Sequence, residues 1–506
     1  MTKHFITAVL IFSLAAALKA QEAEDLPALR EQLARQEKQI EELRAVLSAQ
    51  QKLLESLFRD GPHAALAPAQ QIEPSSPPAK QISPLTVGAY SPLSFRIGAA
   101  EFTPGASVDL TSVFRSTNVG SGVGTAFGSI PFENTPAGML TESRLSAQKS
   151  RVNLKVTSQF GKQKLTGYLE TDFNGVAPGS LNVTSNSATM RLRLYWAQIV
   201  RGNWEFLGGQ SWSMLTPNRV GISPHPSDLF VTQNLDSNYQ VGLTWTRAPQ
   251  FRAVYHATRN WTAGISLENP EQFAGPGVVL PDFAANQFDN GSQPGTPNVH
   301  PDVIGRIAFD GEAAGRPVHV EAAGLFRTFR SLRPGGGTSI AHGYSGSVNT
   351  NFDIVKNLRF VLTTFYGQGG GRYIYGLAPD AVVRADGTVS AVRSAAGIAG
   401  LEFKPTANWQ LYGYYGGVYA WRNFSEAAPA QFLGFGFSGA PASANRTIQE
   451  ATAGAHYTFW KDPNYGALQL LTQYSYVTRS PWQAPAGLPR RAHTSMVFVS
   501  LRYVLP

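Results

Sequence analysis

The sequence contains no cysteine. That absence excludes thiol nucleophiles, cysteine-ligated zinc and disulfide staples, and it suits a chain exported through an oxidising compartment. Charge is scarce as well: Asp, Glu, Lys and Arg make up 15% of 506 residues, against about a quarter in ordinary soluble domains. Long apolar runs are missing after residue 20, where no stretch approaches the ~18 residues that a membrane-spanning helix needs. No His-Glu-x-x-His pair and no Gly-x-Ser-x-Gly elbow is present. Gly120-Ser-Gly-Val-Gly124 lacks the Lys-Ser/Thr and the following helix of a phosphate loop, so it reads as a flexible outer loop. The nine histidines are scattered singly. Catalysis, a bound metal, a cofactor and nucleic-acid binding are therefore not expected.

What the chain does have is alternation. From Phe95 onward, short segments put apolar residues at every second position, and Gly/Asn/Pro-rich connections separate them. In the last segment Val497, Val499, Leu501, Tyr503 and Leu505 share one face, and Ser500 and Arg502 lie on the other. Strand side chains alternate with period two, so one face suits lipid and the other a wetter interior. A barrel hides its apolar band in this pattern, which is why the mean hydropathy can stay at −0.15. Similarly, Val152, Leu154 and Val156 oppose Arg151, Asn153 and Lys155; Leu192, Leu194 and Trp196 oppose Arg191, Arg193 and Tyr195; and Val241, Leu243 and Trp245 oppose Gln240, Thr244 and Thr246. Trp409, Tyr419, Trp421, Tyr457 and Trp460 crowd segment ends, as in interfacial aromatic girdles.

Short turns are expected at 160–164, 201–203, 258–260, 313–316, 355–357, 406–408 and 461–466. Longer connections fall near 116–141, 174–187, 213–238, 270–300, 331–341, 375–394, 425–445 and 481–493. Together they delimit sixteen strands, an even number that leaves both barrel ends on the short-turn side. Pro249, inside the segment 240–257, marks a bulge or an extra turn, because proline cannot donate to a ladder.

The N-terminal region is different. Lys3 and His4 precede an apolar core from Phe5 to Leu18, so residues 1–20 read as a signal peptide cleaved after Ala20 or Ala17, with an uncleaved anchor as the alternative. Across 22–60, Leu26, Leu33, Ile40, Leu47 and Leu54 recur every seven residues. Leu29, Gln36, Leu43, Gln50 and Leu57 form a second series. This is a five-heptad coiled coil, although one amphipathic helix packed on the barrel also fits. Residues 61–84 are a Pro-rich linker and 85–506 the barrel. The fold class expected is all-β transmembrane, a 16-stranded antiparallel β-barrel preceded by an α-helical coiled coil. The heptads imply an oligomer and leave room for a periplasmic partner.

Residues 1–84 hold 9 Lys+Arg and 10 Asp+Glu, so the remainder carries a balance of +9. Arg151, Lys155, Arg191, Arg193, Arg252, Arg306 and Arg327 lie opposite apolar faces, with Glu170, Asp172 and Glu321 among them. Rings of Arg and Lys in a confined lumen select anions. These ten residues are the candidate pore lining.

The heptad preface, linker, sixteen-strand parse, Gly208-Gly-Gln-Ser-Trp-Ser213 and Arg247-Ala-Pro-Gln-Phe-Arg252 resemble the DcaP-like trimeric porins of Gram-negative outer membranes. The resemblance implies three barrels side by side in outer-membrane lipid, with a periplasmic N-terminal coil. It implies passive diffusion of small, often anionic solutes past an inward-folded loop. Here that loop follows Trp212 and runs through Asn218, Arg219, His225, Asp228 and Asn234. Such barrels end in Phe, whereas this chain ends Tyr503-Val-Leu-Pro506. The expected function is a porin preferring anions. A substrate-specific channel for phosphate, carboxylates or sugars is the alternative, as is a structural tether acting through the coil.

Overall fold

The structure, a computed structural model, describes residues 91–506 except 176–185, 231–232 and 290–297, together with Lys38 and Glu41, both helical. Apart from those two residues, the expected signal peptide, coiled coil and linker lie outside the described residues.

Sixteen wall strands follow in order. They are β1 (Ala100–Arg115), β2 (Glu142–Ser146 continued by Arg151–Phe160), β3 (Gln163–Asp172), β4 (Arg191–Arg201), β5 (Trp204–Trp212), β6 (Arg247–His256), β7 (Trp261–Glu268) and β8 (Asp302–Ala313). The second half comprises β9 (Arg316–Leu332), β10 (Thr338–Val355), β11 (Leu358–Gln368), β12 (Arg393–Phe403), β13 (Trp409–Ala420), β14 (Asn445–Asp462), β15 (Gly466–Pro481) and β16 (Ala492–Val504). Each pairs antiparallel with the next. The barrel closes where β1 meets β16, with Ser107 opposite Val504 and Arg115 opposite Met496. A closed wall leaves no unpaired edge, which a sheet in hydrocarbon requires.

All seven short turns lie between the strands where the composition puts them, and the eight longer connections occupy the other end. Several turns have only two residues, such as Gly161-Lys162 and Gly202-Asn203. The first residue of each has a φ of 57°, the left-handed geometry that matches hairpin twist.

The outer face is apolar, as Val108, Leu110, Ile265, Leu401, Val497, Val499 and Leu501 show. Trp409 and Trp421, at the two ends of β13, stand twelve residues apart. At ~3.3 Å per residue and a tilt of roughly 40° this is about 30 Å of height, the thickness of a bilayer's hydrocarbon core.

Two strands depart from simple alternation. In β4, Glu170 pairs with Leu194 and Thr171 with Leu192, so Arg193 is an extra residue. Leu192 (42% exposed) and Tyr195 (55%) point outward, while Leu194 (0%) and Trp196 (4%) point inward. The expectation that Leu194 and Trp196 face lipid is thereby corrected, because a bulge shifts the phase of everything beyond it. In β2, residues 147–150 face residues 108–110, and Ser150 Oγ accepts the Asp109 N–H at 3.0 Å.

The segment 240–257 also needs correction. Its strand begins at Arg247, with Pro249 paired to Gln210, and residues before it belong to a loop folded into the barrel. Val241 and Leu243 alternate because they pack on the inner wall beside Ile448, Val418, Ile398 and Tyr414.

Candidate functional site

The connection from Ser213 to Thr246 enters the lumen, and polar wall residues bind its backbone. Glu268 on β7 accepts the Met214 N–H at 2.8 Å. Asp310 on β8 accepts the Gly221 N–H at 2.9 Å, and Glu321 on β9 the Asn218 N–H at 3.2 Å. Glu450 on β14 accepts the Val241 N–H at 2.9 Å, and Gln473 on β15 the Leu235 N–H at 2.6 Å. On β12, Glu402 takes both Arg219 nitrogens, at 2.7 and 2.8 Å. The Arg219–Glu402 pair, joined by two ionic hydrogen bonds, is stronger than neutral ones.

Glycine lets the loop lie flat on the wall. A Cβ built at Gly242 (φ +97°) would collide with the Gly397 carbonyl, and one at Gly416 with the Val241 carbonyl. Apolar packing completes the contact, with Leu229, Phe230, Tyr239 and Leu243 against Leu194, Trp196 and Tyr414.

The five loop residues singled out in the sequence all lie on this segment. Asn218 is buried, and its amide donates to the Ser223 and Asp228 carbonyls. Arg219 stacks over Phe230 at 5.6 Å. His225 meets the Trp196 ring edge-on at 5.2 Å. Burial, and then the charge of Lys155, holds its imidazole below the usual pKa. Asp228 accepts the Ser223 hydroxyl at 2.9 Å, and Asn234 donates to Tyr239 O and Gln240 Oε1.

Two cavities lie beside the loop. The first, of ≈ 200 Å³, is lined by Lys149, Arg151, Arg193, Arg502, His456, Asp236, Tyr239 and Trp212, among others. The second, of ≈ 270 Å³, is lined by Arg191, Arg193, Arg247, Arg372, Trp245 and Tyr375 with Ser237, Asn238 and Thr246. They share Arg193 and Ser237. Arg191 and Arg247 open their strands at the long-loop end, whereas Arg502 and His456 lie towards the short-turn end of theirs. The second cavity therefore sits above the first. Seven cationic side chains line the pair, and Asp236 is the one carboxylate.

A carboxylate pair behind the wall arginines sets their geometry. Arg191 binds Asp172 through Nε (3.0 Å) and Nη2 (2.7 Å). Arg193 reaches Glu170 at 2.6 Å, Asp172 at 2.9 Å and the Tyr239 hydroxyl at 3.4 Å. Arg151 stands 4.0 Å from Glu170. Arg193 and Arg247 also lie over the Trp212 ring, at 5.9 and 5.6 Å. Trp245 stacks on Tyr375 at 4.9 Å, so an aromatic wall flanks the guanidiniums.

No family model matches the sequence, and none of the curated proteins does. Among solved structures, the outer membrane channel DcaP of Acinetobacter baumannii aligns over 80% of this chain and 97% of its own, at 18% identity and a TM-score of 0.59. In fold, this barrel resembles DcaP. An anion-selective porin from Comamonas acidovorans aligns over 80% of this chain and 99% of its own, at 10% identity with a TM-score of 0.46.

In this DcaP-like barrel the sequence candidates divide into two groups. Arg151, Arg191 and Arg193, backed by Glu170 and Asp172, meet at the cavities. Lys155 lies on the same strand as Arg151, opposite Tyr168. Arg252, Arg306, Glu321 and Arg327 are buried and line neither cavity. Arg306 ties down the loop by donating to the Met214 and Thr216 carbonyls and pairing with Glu321. Arg327 bridges Asp302 (3.3 Å) and Asp380 (3.0 Å), knotting an outer connection to the wall.

Four cavity cations are not among the candidate pore-lining residues of the sequence. Lys149 sits in the β2 bulge, Arg372 in an outer connection, and Arg247 at a strand start misplaced by the alternation of 240–246. Arg502 was legible as the wet face of the last strand, and it binds Asp109 at 2.8 Å.

Proposed function

We propose that this protein is an outer-membrane porin through which small hydrophilic solutes, preferentially anions, diffuse passively, and that it works as a homotrimer with no catalytic role. The observation that carries this reading is the lining of the two joined cavities, seven cations against Asp236. Cations in a low-dielectric constriction raise the local anion concentration without chemistry or a cofactor. Arg151, Arg191 and Arg193, joined by Lys149, Arg247, Arg372 and Arg502, are the selectivity residues in this reading. Lys155 and Arg252 belong to the wall around them. Arg306, Arg327 and Glu321 act indirectly, by holding the loops that narrow the path. Asn218, Arg219, His225, Asp228 and Asn234 build the constriction itself. The heptads of residues 22–60 supply the periplasmic contact between copies, and the N-terminal segment would face the periplasm.

The deciding experiment is planar-bilayer recording in a KCl gradient. A stable ohmic conductance whose reversal potential favours chloride is expected. Non-conducting protein, or cation preference in dilute salt, would overturn the reading. A substrate-specific channel is the second reading, favoured by the aromatic wall of Trp212, Trp245 and Tyr375 beside the arginines. Liposome flux that saturates for one anion would select it; flux linear in concentration would select the general porin.

A further inference from the structure

The four guanidiniums around the second cavity are not equivalent. Arg191 is held by Asp172, Arg193 by Glu170 and Asp172, and Arg372 by Glu271 at 2.9 Å. Arg247 has no such partner: its side chain makes no hydrogen bond or ion pair among the described residues, and its Nη1 is buried. It is nevertheless fixed, because its guanidinium lies 5.6 Å over the ring of Trp212, its neighbour across the ladder. Trp245, on the same cavity, also buries an indole Nε1 that donates to no described residue, while its backbone N–H is tied to the Tyr373 carbonyl at 2.8 Å. Among the described residues no carboxylate lines this cavity.

Taking a guanidinium out of water without an acidic partner is costly, and an anion bound against it removes that cost. The donors reach the cavity from three parts of the chain: Arg191 from β4, Arg247 from β6 and Arg372 from the outer connection after β11. A planar carboxylate is satisfied by a single fork. The three oxygens of a tetrahedral dianion suit forks that converge from separate elements, and its second charge suits a site with a cation to spare. Stacking on Trp212 orients Arg247 in advance, which lowers the entropy cost of binding. The cavity's ≈ 270 Å³ is many times the roughly 15 Å³ that one water needs, so an organic group fits beside the anion.

We propose that the second cavity, centred on Arg247, is a binding site for a phosphate dianion, free or as a monoester; this rests on the anion-passing reading above and names the solute class it favours. Arg247 supplies the fork that no carboxylate of the wall occupies, and Arg191 and Arg372 add their remaining donors. Trp245 adds an indole N–H, and its ring, stacked on that of Tyr375, flanks the organic part of an ester. A solute arriving from the long-loop side meets this site before the first cavity.

The test is isothermal titration calorimetry on the full-length protein in detergent at low chloride, with inorganic phosphate, phenyl phosphate and succinate as probes. At about pH 8 all three are mainly dianions. Both phosphates should bind roughly tenfold or more tighter than succinate. A tighter phenyl ester would assign the monoester and equal affinities the free ion, whereas succinate binding as tightly as either overturns the proposal. R247Q should weaken phosphate binding about 10- to 100-fold, the loss of an ionic hydrogen bond. R247K, which keeps the charge and loses the fork, should fall in between. R384Q, on an exposed outer turn, should bind like wild type. Unchanged affinity in R247Q, or the same loss in R384Q, overturns the site. Heat-modified mobility on gels checks that the variants fold, and R247K carries the test if R247Q does not. Reversal potentials of the same preparations in KCl report on the pore separately. Anion preference without phosphate binding sinks this site alone, and phosphate binding without anion preference sinks the porin reading alone.

Discussion

The two sides of the lumen treat charge in opposite ways. From β7 to β14 the wall carries Glu268, Asp310, Glu321, Glu402 and Glu450, and each is occupied by a backbone N–H or a guanidinium of the inward loop. Their acceptor oxygens are spent on holding the constriction. Around β16 and β1 to β6, Arg151, Arg191, Arg193, Arg247 and Arg502 face the cavities, and their carboxylates, Glu170, Asp172 and Asp109, sit behind them. Acids that build the loop and bases that line the path are thus separated around one ring of strands. On the reading proposed above, selectivity should follow from which charges line the cavities and much less from the net count.

The largest effect should come from exposing the hidden acids. Replacing Arg191 and Arg193 together by Gln removes two cations and uncovers Glu170 and Asp172. The permeability ratio should shift towards cations by on the order of tenfold, equivalent to ~1.4 kcal/mol. The shift should be largest in dilute salt, since screening reaches ~10 Å at 0.1 M. Arg384→Gln, on an exposed outer turn, should leave reversal potentials as in wild type. Equal effects from both changes would mean that net charge governs selectivity, and the contrast between the two sides would collapse.

Next in size is a change on the sealed side. Glu402→Gln leaves Arg219 in the interior without its bidentate partner, and losing one member of a buried pair costs about 3–5 kcal/mol. The loop should detach in part, which raises single-channel conductance and open-state noise and leaves ion preference near that of wild type. A selectivity change as large as that of the arginine pair would show that the two sides are not separate in function.

A smaller effect is expected from Gly416→Ala. The added methyl meets the Val241 carbonyl, so the loop must lift locally while its ionic anchors persist. A modest rise in conductance and a lower unfolding temperature should result. Unchanged values for both would mean that the loop accommodates the methyl, and that the close approach is not needed.

Much of the wall was legible because alternation and Gly/Asn/Pro-rich connections are written into every strand. Sixteen strands and seven turns follow from local pattern alone. The bulges were not legible: an extra residue at Arg193 or between Ser146 and Arg151 leaves composition unchanged, yet it turns Leu194 and Trp196 inward and sets Lys149 at a cavity. Nor could local pattern separate a lining arginine from a buried tie. Arg193 and Arg306 both sit opposite apolar faces and both are buried, but Arg306 is spent on loop carbonyls whereas Arg193 still lines a cavity. The alternation of Val241 and Leu243 misled for the same reason, since a loop packed on a wall needs apolar residues at the same spacing as a strand in lipid.

The smallest effect, and the finest probe of the contrast, is the pH response of Asp236. It is the one acid among the cations of the cavities, held by the Thr125 N–H at 3.1 Å and the Asn238 N–H at 2.8 Å. Burial pushes its carboxyl above the ordinary range, against the pull of Arg115 and of those hydrogen bonds. A raised acid pKa means that the proton returns at a higher pH than for an exposed aspartate. As pH falls through that raised value the cavity loses its negative charge, so anion preference should increase before ordinary carboxylates titrate. Folding has the same sign: the folded state binds this proton more tightly than the unfolded chain, so the Asp236 contribution to stability rises as pH falls. Asp236→Asn should abolish the step in reversal potential and give at every pH the preference that wild type reaches only below that raised value. If the step survives in the variant, it belongs to other carboxylates, and Asp236 is then not the charge that opposes the cationic side.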